Sequence, residues 1–209
     1  MDPFIIGGDY APISKFPHSV YLTMRCSNMD FSCGSSLLNQ QVLLTASHCF
    51  SDCDRGWKID SYAGDENIYK MRATRKVTRF IMHHDYDEQT VSNDIALAFV
   101  NEQFPLGKHI KRVILRPTFS VQSNARVAGW GVIDDYTQQD TDRLKEVQQR
   151  IKSRSACLKL GDISGGMMCA SCTDSDYSRP AFGDSGSALI TDNNEQVGLV
   201  SFREESQPQ

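Results

Sequence analysis

Three polar residues far apart in the sequence have the chemical types that covalent catalysis needs. His48 follows an apolar run, which predicts an imidazole at a strand end. Asp94 precedes another apolar run, where a donor such as an imidazole would have to offset the cost of burying its carboxylate. Ser185 lies within Gly183-Asp184-Ser185-Gly186, whose glycines let backbone N–H groups approach a developing oxyanion. Each feature alone is weak, but together they predict a hydroxyl nucleophile with a base and an orienting carboxylate.

Short strands are the elements that would position these residues. Apolar or alternating runs between turn residues predict an all-β protein, with strands near 19–23, 34–38, 95–100, 127–130, 187–190 and 197–202. Asp192-Asn193-Asn194 predicts a hairpin turn between the last two. Residues 142–151 are ambiguous, because Leu144, Val147 and Ile151 have the spacing of one helix face.

Five segments in sequence order resemble the trypsin and chymotrypsin family of serine proteases. They are Ile5-Ile6-Gly7-Gly8, Leu44-Thr45-Ala46-Ser47-His48-Cys49, Asn93-Asp94-Ile95-Ala96-Leu97, Gly129-Trp130-Gly131 and Gly183-Asp184-Ser185-Gly186. The resemblance implies two six-stranded antiparallel barrels with the active site in the cleft between them, and a strand rather than a helix near 142–151. It implies a protease domain over 5–209 that lacks the usual C-terminal strand and helix, with 1–4 as a propeptide remnant or expression scar.

The same resemblance assigns a role to each candidate catalytic residue. His48 would act as general base, Asp94 would fix its tautomer, and Ser185 would form an acyl-enzyme. The backbone N–H groups of Gly183 and Ser185 would form the oxyanion hole. The expected function is that of a secreted serine endopeptidase. The alternative is a non-catalytic homologue that acts as a binding or regulatory protein.

Activation in this family involves a new amino terminus, which would be Ile5 here. Its ammonium group would pair with Asp184, next to the nucleophile. Because residues 1–4 would block that pairing, we expect a zymogen that is inactive until it is cut after Phe4.

The substrate pocket is where the sequence departs from the family pattern. Arg179 occupies the position that sets specificity, so it could favour an acidic P1 side chain, swing out of the pocket or plug it. Ala181 replaces a disulfide cysteine. Ser201, Phe202 and Arg203 occupy the substrate strand, and Ser201 resembles the serine that supports the buried aspartate.

Seven cysteines favour an oxidising, extracellular location over the cytosol. The resemblance pairs Cys33 with Cys49 and Cys157 with Cys169. Cys26 and Cys53 lie near the first of these bridges, and we expect an added bond between them. Cys172 is then the odd cysteine.

Composition excludes several other classes of function. The net charge of −4 is mild and no apolar run approaches the ~20 residues of a membrane span, so neither nucleic acid nor a membrane is expected as a partner. The expected partners are protein or peptide substrates and protein protease inhibitors, and the expected state is a monomer. No cofactor is expected.

Two clusters invite a metal or anion interpretation. His83-His84-Asp85 matches a loop of the family, and neither it nor the Cys169–Cys172 spacing predicts a metal site. The run 70–79 carries five positive charges where calcium-binding relatives have acidic ligands, which argues against calcium. We interpret this run as a solvated strand face, with an anion-binding exosite as the alternative.

Overall fold

The computed structural model describes residues 8–27, 29–53, 56–118, 120–134, 136–137, 139–159, 161–172 and 178–203. Its strands are β1 (Asp9–Tyr10), β2 (Ser19–Cys26), β3 (Met29–Asn39), β4 (Val42–Thr45), β5 (Lys58–Ala63), β6 (Ala73–Met82), β7 (Ala96–Val100), β8 (Ile114–Leu115), β9 (Asn124–Gly129), β10 (Val132–Asp134), β11 (Gln139–Asp140), β12 (Lys145–Ile151), β13 (Ala170–Cys172), β14 (Ala188–Thr191) and β15 (Glu195–Leu199). The helices are α1 (Arg154–Cys157) and two 3₁₀ turns at His48–Phe50 and Ile68–Lys70. Among the described residues, no helix has the length and apolar character that a membrane span requires.

The first half of the chain forms a closed barrel in the order β2-β3-β4-β7-β6-β5. Side chains alternate along β2 between the inside and the outside of the barrel. Val20, Leu22 and Met24 point inward and are at most 1% exposed. Phe50 and Phe104 help to fill the barrel core. Full burial of each large apolar side chain contributes about 1.5–3 kcal/mol to stability.

The second half forms a seven-stranded sheet in the order β1-β12-β9-β14-β15-β8, with β13 added beside β12. Its pairs are antiparallel except for the parallel pair of β8 and β15. The all-β class is therefore confirmed. Within the described residues only the first of the two expected barrels is closed, and the second is an open sheet.

Residues 145–151 form strand β12. The family resemblance implied this strand, whereas the spacing of the apolar residues predicted a helix. Lys145, Val147, Gln149 and Ile151 all face inward and are at most 4% exposed. Two of these inward residues are polar, which hides the period-two pattern from a hydrophobicity-based prediction.

The predicted hairpin at 192–194 is also present. It joins β14 to β15, and Asn194 adopts a positive φ of 57° while its N–H donates to Thr191 O at 2.9 Å. Asparagine tolerates this left-handed conformation better than most residues, which explains the turn signal in the sequence.

Three disulfide bonds join described cysteines, and they are Cys26–Cys53, Cys33–Cys49 and Cys157–Cys169. The pairs are those named from the sequence. Their sequence separations run from 12 to 27, for which chain entropy gives a stabilisation of about 3 kcal/mol each. Cys172 takes no part in these three bonds.

The two halves meet through a shared apolar cluster and through Glu66. Trp130 and Leu144 of the second half lie in the same cluster as Tyr21 of the first. The carbonyl of Glu66 accepts hydrogen bonds from Trp130 Nε1 at 2.8 Å and from Leu144 N at 2.7 Å. These contacts fix the relative position of the strand ends that carry the candidate site.

Candidate active site

His48 and Asp94 are brought together by two paired strands. His48 lies three residues beyond β4 and Asp94 two residues before β7, and these strands pair with Thr45 opposite Ala96. Asp94 Oδ1 accepts from the backbone N–H of His48 at 2.8 Å, and Oδ2 lies 2.8 Å from His48 Nδ1. The carboxylate is only 8% exposed, so the imidazole and the backbone together take the place of water.

A second side chain completes the surroundings of Asp94. Ser201 Oγ donates a hydrogen bond to Oδ2 of Asp94. Burial raises the pKa of Asp94, but the hydrogen bond and charge of His48 and the Ser201 hydroxyl outweigh it and hold that pKa below its ordinary value. An ionised Asp94 keeps the proton of His48 on Nδ1 and leaves Nε2 as the acceptor.

Ser185 lies in a tight turn that is held against the first barrel. Its carbonyl accepts from Gly34 N at 2.7 Å, and the N–H of Gly186 donates to Val200 O at 2.7 Å. A Cβ on Gly186 would overlap Thr45 Oγ1 and the carbonyl of Gly34, and its φ of 81° also requires glycine. The glycine in this motif therefore permits the nucleophile turn to approach β3 and β4 closely.

In the part of the chain that the structure describes, no hydrogen bond joins Ser185 Oγ to His48 Nε2. Catalytic hydrogen bonds of this kind are often long without substrate and shorten in the substrate complex. The backbone still places Ser185 beside the histidine turn, because Cys49 Sγ lies 4.0 Å from Ser185 O.

The turn also leaves backbone donors available for an oxyanion. Asp184 N donates to Ala181 O at 3.0 Å and Ser187 N donates to Asp184 O at 2.9 Å. Among the described residues, the N–H groups of Gly183 and Ser185 donate to no protein acceptor. Gly183 has a φ of 89°, which permits this arrangement at little cost in strain.

Asp184 itself points into the protein and is fully buried. It accepts from Gly131 N and from Ala181 N, each at 2.9 Å. A Cβ on Gly129 would overlap its carboxylate, so the Gly-Trp-Gly motif makes room for this side chain. Burial raises the pKa of Asp184 to about 6, although the two N–H donors lower it. Its expected partner, Ile5, lies outside the described residues.

The substrate-binding candidates lie around the nucleophile turn. Arg179 is half-buried, and the carbonyl of its buried neighbour Ser178 accepts from Gln149 Nε2 at 3.3 Å. Ala181 is buried, whereas Phe202 and Arg203 are exposed.

Two further residues escaped the sequence analysis. Phe182 is an aromatic side chain that is 65% exposed, and its position directly before the oxyanion glycine Gly183 was the available signal. Gln149 matters because its amide group holds the carbonyl of Ser178, the neighbour of Arg179. No signal in the sequence indicated this residue, because a polar residue within a strand forms no motif.

The histidine cluster and the basic run are engaged in local contacts. The ligand atoms of His83, His84 and Asp85 lie within 4.8 Å of one another, but Asp85 N donates to His83 Nδ1 at 3.2 Å and His84 Nε2 lies 3.0 Å from Asp85 Oδ2. In the basic run, Arg75 donates to Gln103 O and Arg79 lies 4.0 Å from the ring centre of Phe99. These contacts favour the interpretation of 70–79 as a solvated strand face.

The fold and the candidate site define a β-structured protein with an imidazole, a carboxylate and a hydroxyl at the junction of two sheets. The Trypsin family model matches residues 5–209, and the chain therefore belongs to the trypsin family of serine proteases.

Trypsin delta of Drosophila erecta is 29% identical over 208 residues, covering 97% of this chain and 79% of the relative. Human cathepsin G is 29% identical over 209 residues, with the same coverage of the two chains.

Two solved structures show the same fold. A structure titled HL collagenase aligns with a TM-score of 0.85 and 26% identity, covering 95% of this chain and 86% of the other. A scabies mite inactivated protease paralogue, S-D1, aligns with a TM-score of 0.85 over 97% of this chain and 88% of the other. At 20% identity, this second likeness concerns the fold alone.

Proposed function

We propose that this chain is a serine endopeptidase that cleaves peptide bonds through an acyl-enzyme on Ser185. The observation that carries the proposal is the hydrogen-bonded series Ser201, Asp94 and His48, next to a turn whose backbone donors are available. Family membership supports the same reaction class.

The proposed reaction has two steps. Ser185 Oγ attacks the substrate carbonyl while His48 Nε2 takes its proton, and His48 then returns that proton to the leaving amine. A water molecule, deprotonated by the same imidazole, hydrolyses the ester and regenerates Ser185. The N–H groups of Gly183 and Ser185 stabilise the oxyanion in both steps, and loss of one such donor typically costs about 3 kcal/mol.

Activation by cleavage between Phe4 and Ile5 forms part of the proposal, with 1–4 as a propeptide remnant or expression scar and 5–209 as the protease domain. The buried Asp184 carboxyl supports it, because burial is the main cause of its raised pKa and no cation among the described residues lowers that pKa. An ammonium group on Ile5 would supply that cation and hold the turn 183–185 in its working shape.

The three disulfide bonds support secretion, because oxidising compartments favour such bonds. The proposed partners are protein or peptide substrates and protein protease inhibitors, and the proposed state is a monomer.

Covalent labelling with a fluorescent organophosphonate tests the proposal. We expect the protein cut after Phe4 to label rapidly, the Ser185→Ala variant to label not at all, and Ser155→Ala, which changes an exposed serine, to label like the wild type. Circular dichroism establishes that each variant is folded. Labelling that persists in Ser185→Ala would refute the assignment of the nucleophile.

A non-catalytic binding or regulatory homologue is the second candidate. It is favoured by the half-buried Arg179, which occupies the position expected to set specificity. The structural neighbour named as an inactivated protease paralogue has the same fold. A folded, correctly cut protein that fails to label would favour this second function.

A further inference from the structure

A groove of about 600 Å³ lies on the segment that connects the two halves of the molecule. Its floor is apolar and firmly packed, since Ile110 is 4% and Val113 is 7% exposed. Its apolar walls face solvent, because Leu106 is 42% and Ile114 is 66% exposed. Exposed aliphatic side chains over a buried apolar floor are typical of a binding groove.

The backbone of the groove is held in place by both halves. Val113 N donates to Leu37 O at 2.9 Å, and Lys111 N donates to Pro17 O at 2.8 Å, which fixes the segment against the first half. The parallel pairing of Ile114 with Glu195 fixes it against the second sheet. A groove that is already ordered binds a ligand without a further cost for ordering its backbone.

The charged residues that line the groove have one sign. No Asp or Glu occurs between Glu102 and Asp134, whereas this stretch holds five Lys or Arg residues on a chain with a net charge of −4. Lys111 and Arg112 line the groove itself and are exposed. Within the described ranges, neither side chain lies within ion-pair distance of a carboxylate.

Two other cations of the same stretch, Arg116 and Arg126, differ in this respect. Arg116 pairs with Glu195 and Arg126 pairs with Asp192, so the second sheet neutralises them. The positive charge that remains available is thus concentrated where the apolar walls are.

We infer that this groove binds an acidic peptide segment with apolar side chains, contributed by a partner protein. The apolar side chains enter between Leu106 and Ile114, and the carboxylates pair with Lys111 and Arg112. Complementary charge gives specificity and speeds association, while the apolar contacts supply most of the affinity. A concave groove suits an extended chain better than a flat membrane surface. The inference does not depend on the proposed protease activity.

Fluorescence anisotropy with defined peptides tests the inference. A labelled peptide of alternating Glu and Leu is compared with two matched peptides, one with Gln in place of Glu and one with Ser in place of Leu. We expect the Glu-Leu peptide to bind at least about tenfold more tightly than either, and its Kd to rise with salt because exposed charges are screened.

Two pairs of surface variants locate the site. Lys111→Glu with Arg112→Glu is expected to weaken binding at least about tenfold, whereas the charge-matched control Lys76→Glu with Arg79→Glu leaves it within about twofold. Ile114→Ser is expected to weaken binding, whereas Leu158→Ser, at a site that is 51% exposed elsewhere, does not.

Several outcomes would overturn the inference. They are equal binding of the Gln-Leu peptide, equal weakening by the control variants, and absence of binding by the folded wild type. Tighter binding of a heparin fragment or of anionic phosphatidylserine vesicles through Lys111 and Arg112 would also overturn it, since it would assign the groove to another class of ligand.

Discussion

Cutting the chain after Phe4 should abolish the loss of stability with rising pH that comes from Asp184. This carboxyl is fully buried and has a pKa of about 6, against 3.8 for an ordinary aspartate. Since the folded pKa lies above the unfolded one, Asp184 contributes its stability below pH 3.8 and loses it as pH rises to about 6. The loss in the uncut protein is about 3 kcal/mol.

An ammonium group on Ile5 would pair with Asp184 and lower that pKa. We therefore expect the cut protein to lack this loss, so that cutting stabilises the fold by about 3 kcal/mol more at pH 7 than at pH 4. The assay is urea unfolding between pH 4 and pH 8, on protein with a specific cleavage sequence in place of residues 1–4, before and after the cut.

Two variants isolate the contribution of Asp184. Asp184→Asn removes the titrating group and should give cut and uncut proteins the same pH profile, while Asp162→Asn, at an exposed position, should leave the wild-type difference intact. Identical profiles for cut and uncut wild type would refute the reasoning, as would a difference that survives in Asp184→Asn.

Three further predictions follow from single residues. Burial lowers the pKa of His18 to about 4 from 6.5, so acidification through this range should cost the wild type about 3 kcal/mol more than it costs His18→Gln. Urea unfolding measures this difference, and the exposed control His84→Gln should follow the wild type. Ser201→Ala removes a hydrogen-bond donor to Asp94, which should lower kcat/KM by about tenfold and shift the acid limb of the kcat/KM profile to higher pH. An unchanged profile would contradict the role of Ser201 in positioning Asp94. Arg179→Asp should raise the ratio of kcat/KM for basic over acidic P1 side chains by about 100-fold, measured on peptides that differ only at P1. An unaltered ratio would show that Arg179 does not contact the P1 side chain.

Motifs allowed the candidate site to be predicted, because its residues stand in short segments whose chemistry is local. Glycines flank Ser185 because the turn needs positive φ at Gly183 and Gly186, and the four-residue motif 183–186 is enough to indicate this requirement. Asp94 was noticed because a carboxylate before an apolar strand is costly without a donor. The structure adds that backbone and side chain of His48 both serve as that donor.

Strand β12 shows where local pattern was insufficient. Lys145 and Gln149 occupy inward positions that an isolated strand would give to apolar residues. Their burial depends on neighbours supplied by other segments, such as the ring of Tyr10 near Lys145 Nζ and the carbonyl of Ser178 near Gln149. The periodicity of apolar residues along the strand does not predict contacts with such distant segments.

The sequence by itself determined the all-β class, the family and the segments that carry the candidate chemistry, because each depends on residues adjacent in the chain. Only the tertiary structure decided that the backbone N–H of His48 also donates to Asp94 and that the Asp184 carboxyl is enclosed by Gly129 and Gly131. It also decided that the second sheet stays open in the described residues and that Leu106, Lys111 and Ile114 line one groove. The physical reason is that burial, hydrogen bonding and charge pairing depend on distance in space, which strand pairing between remote segments creates.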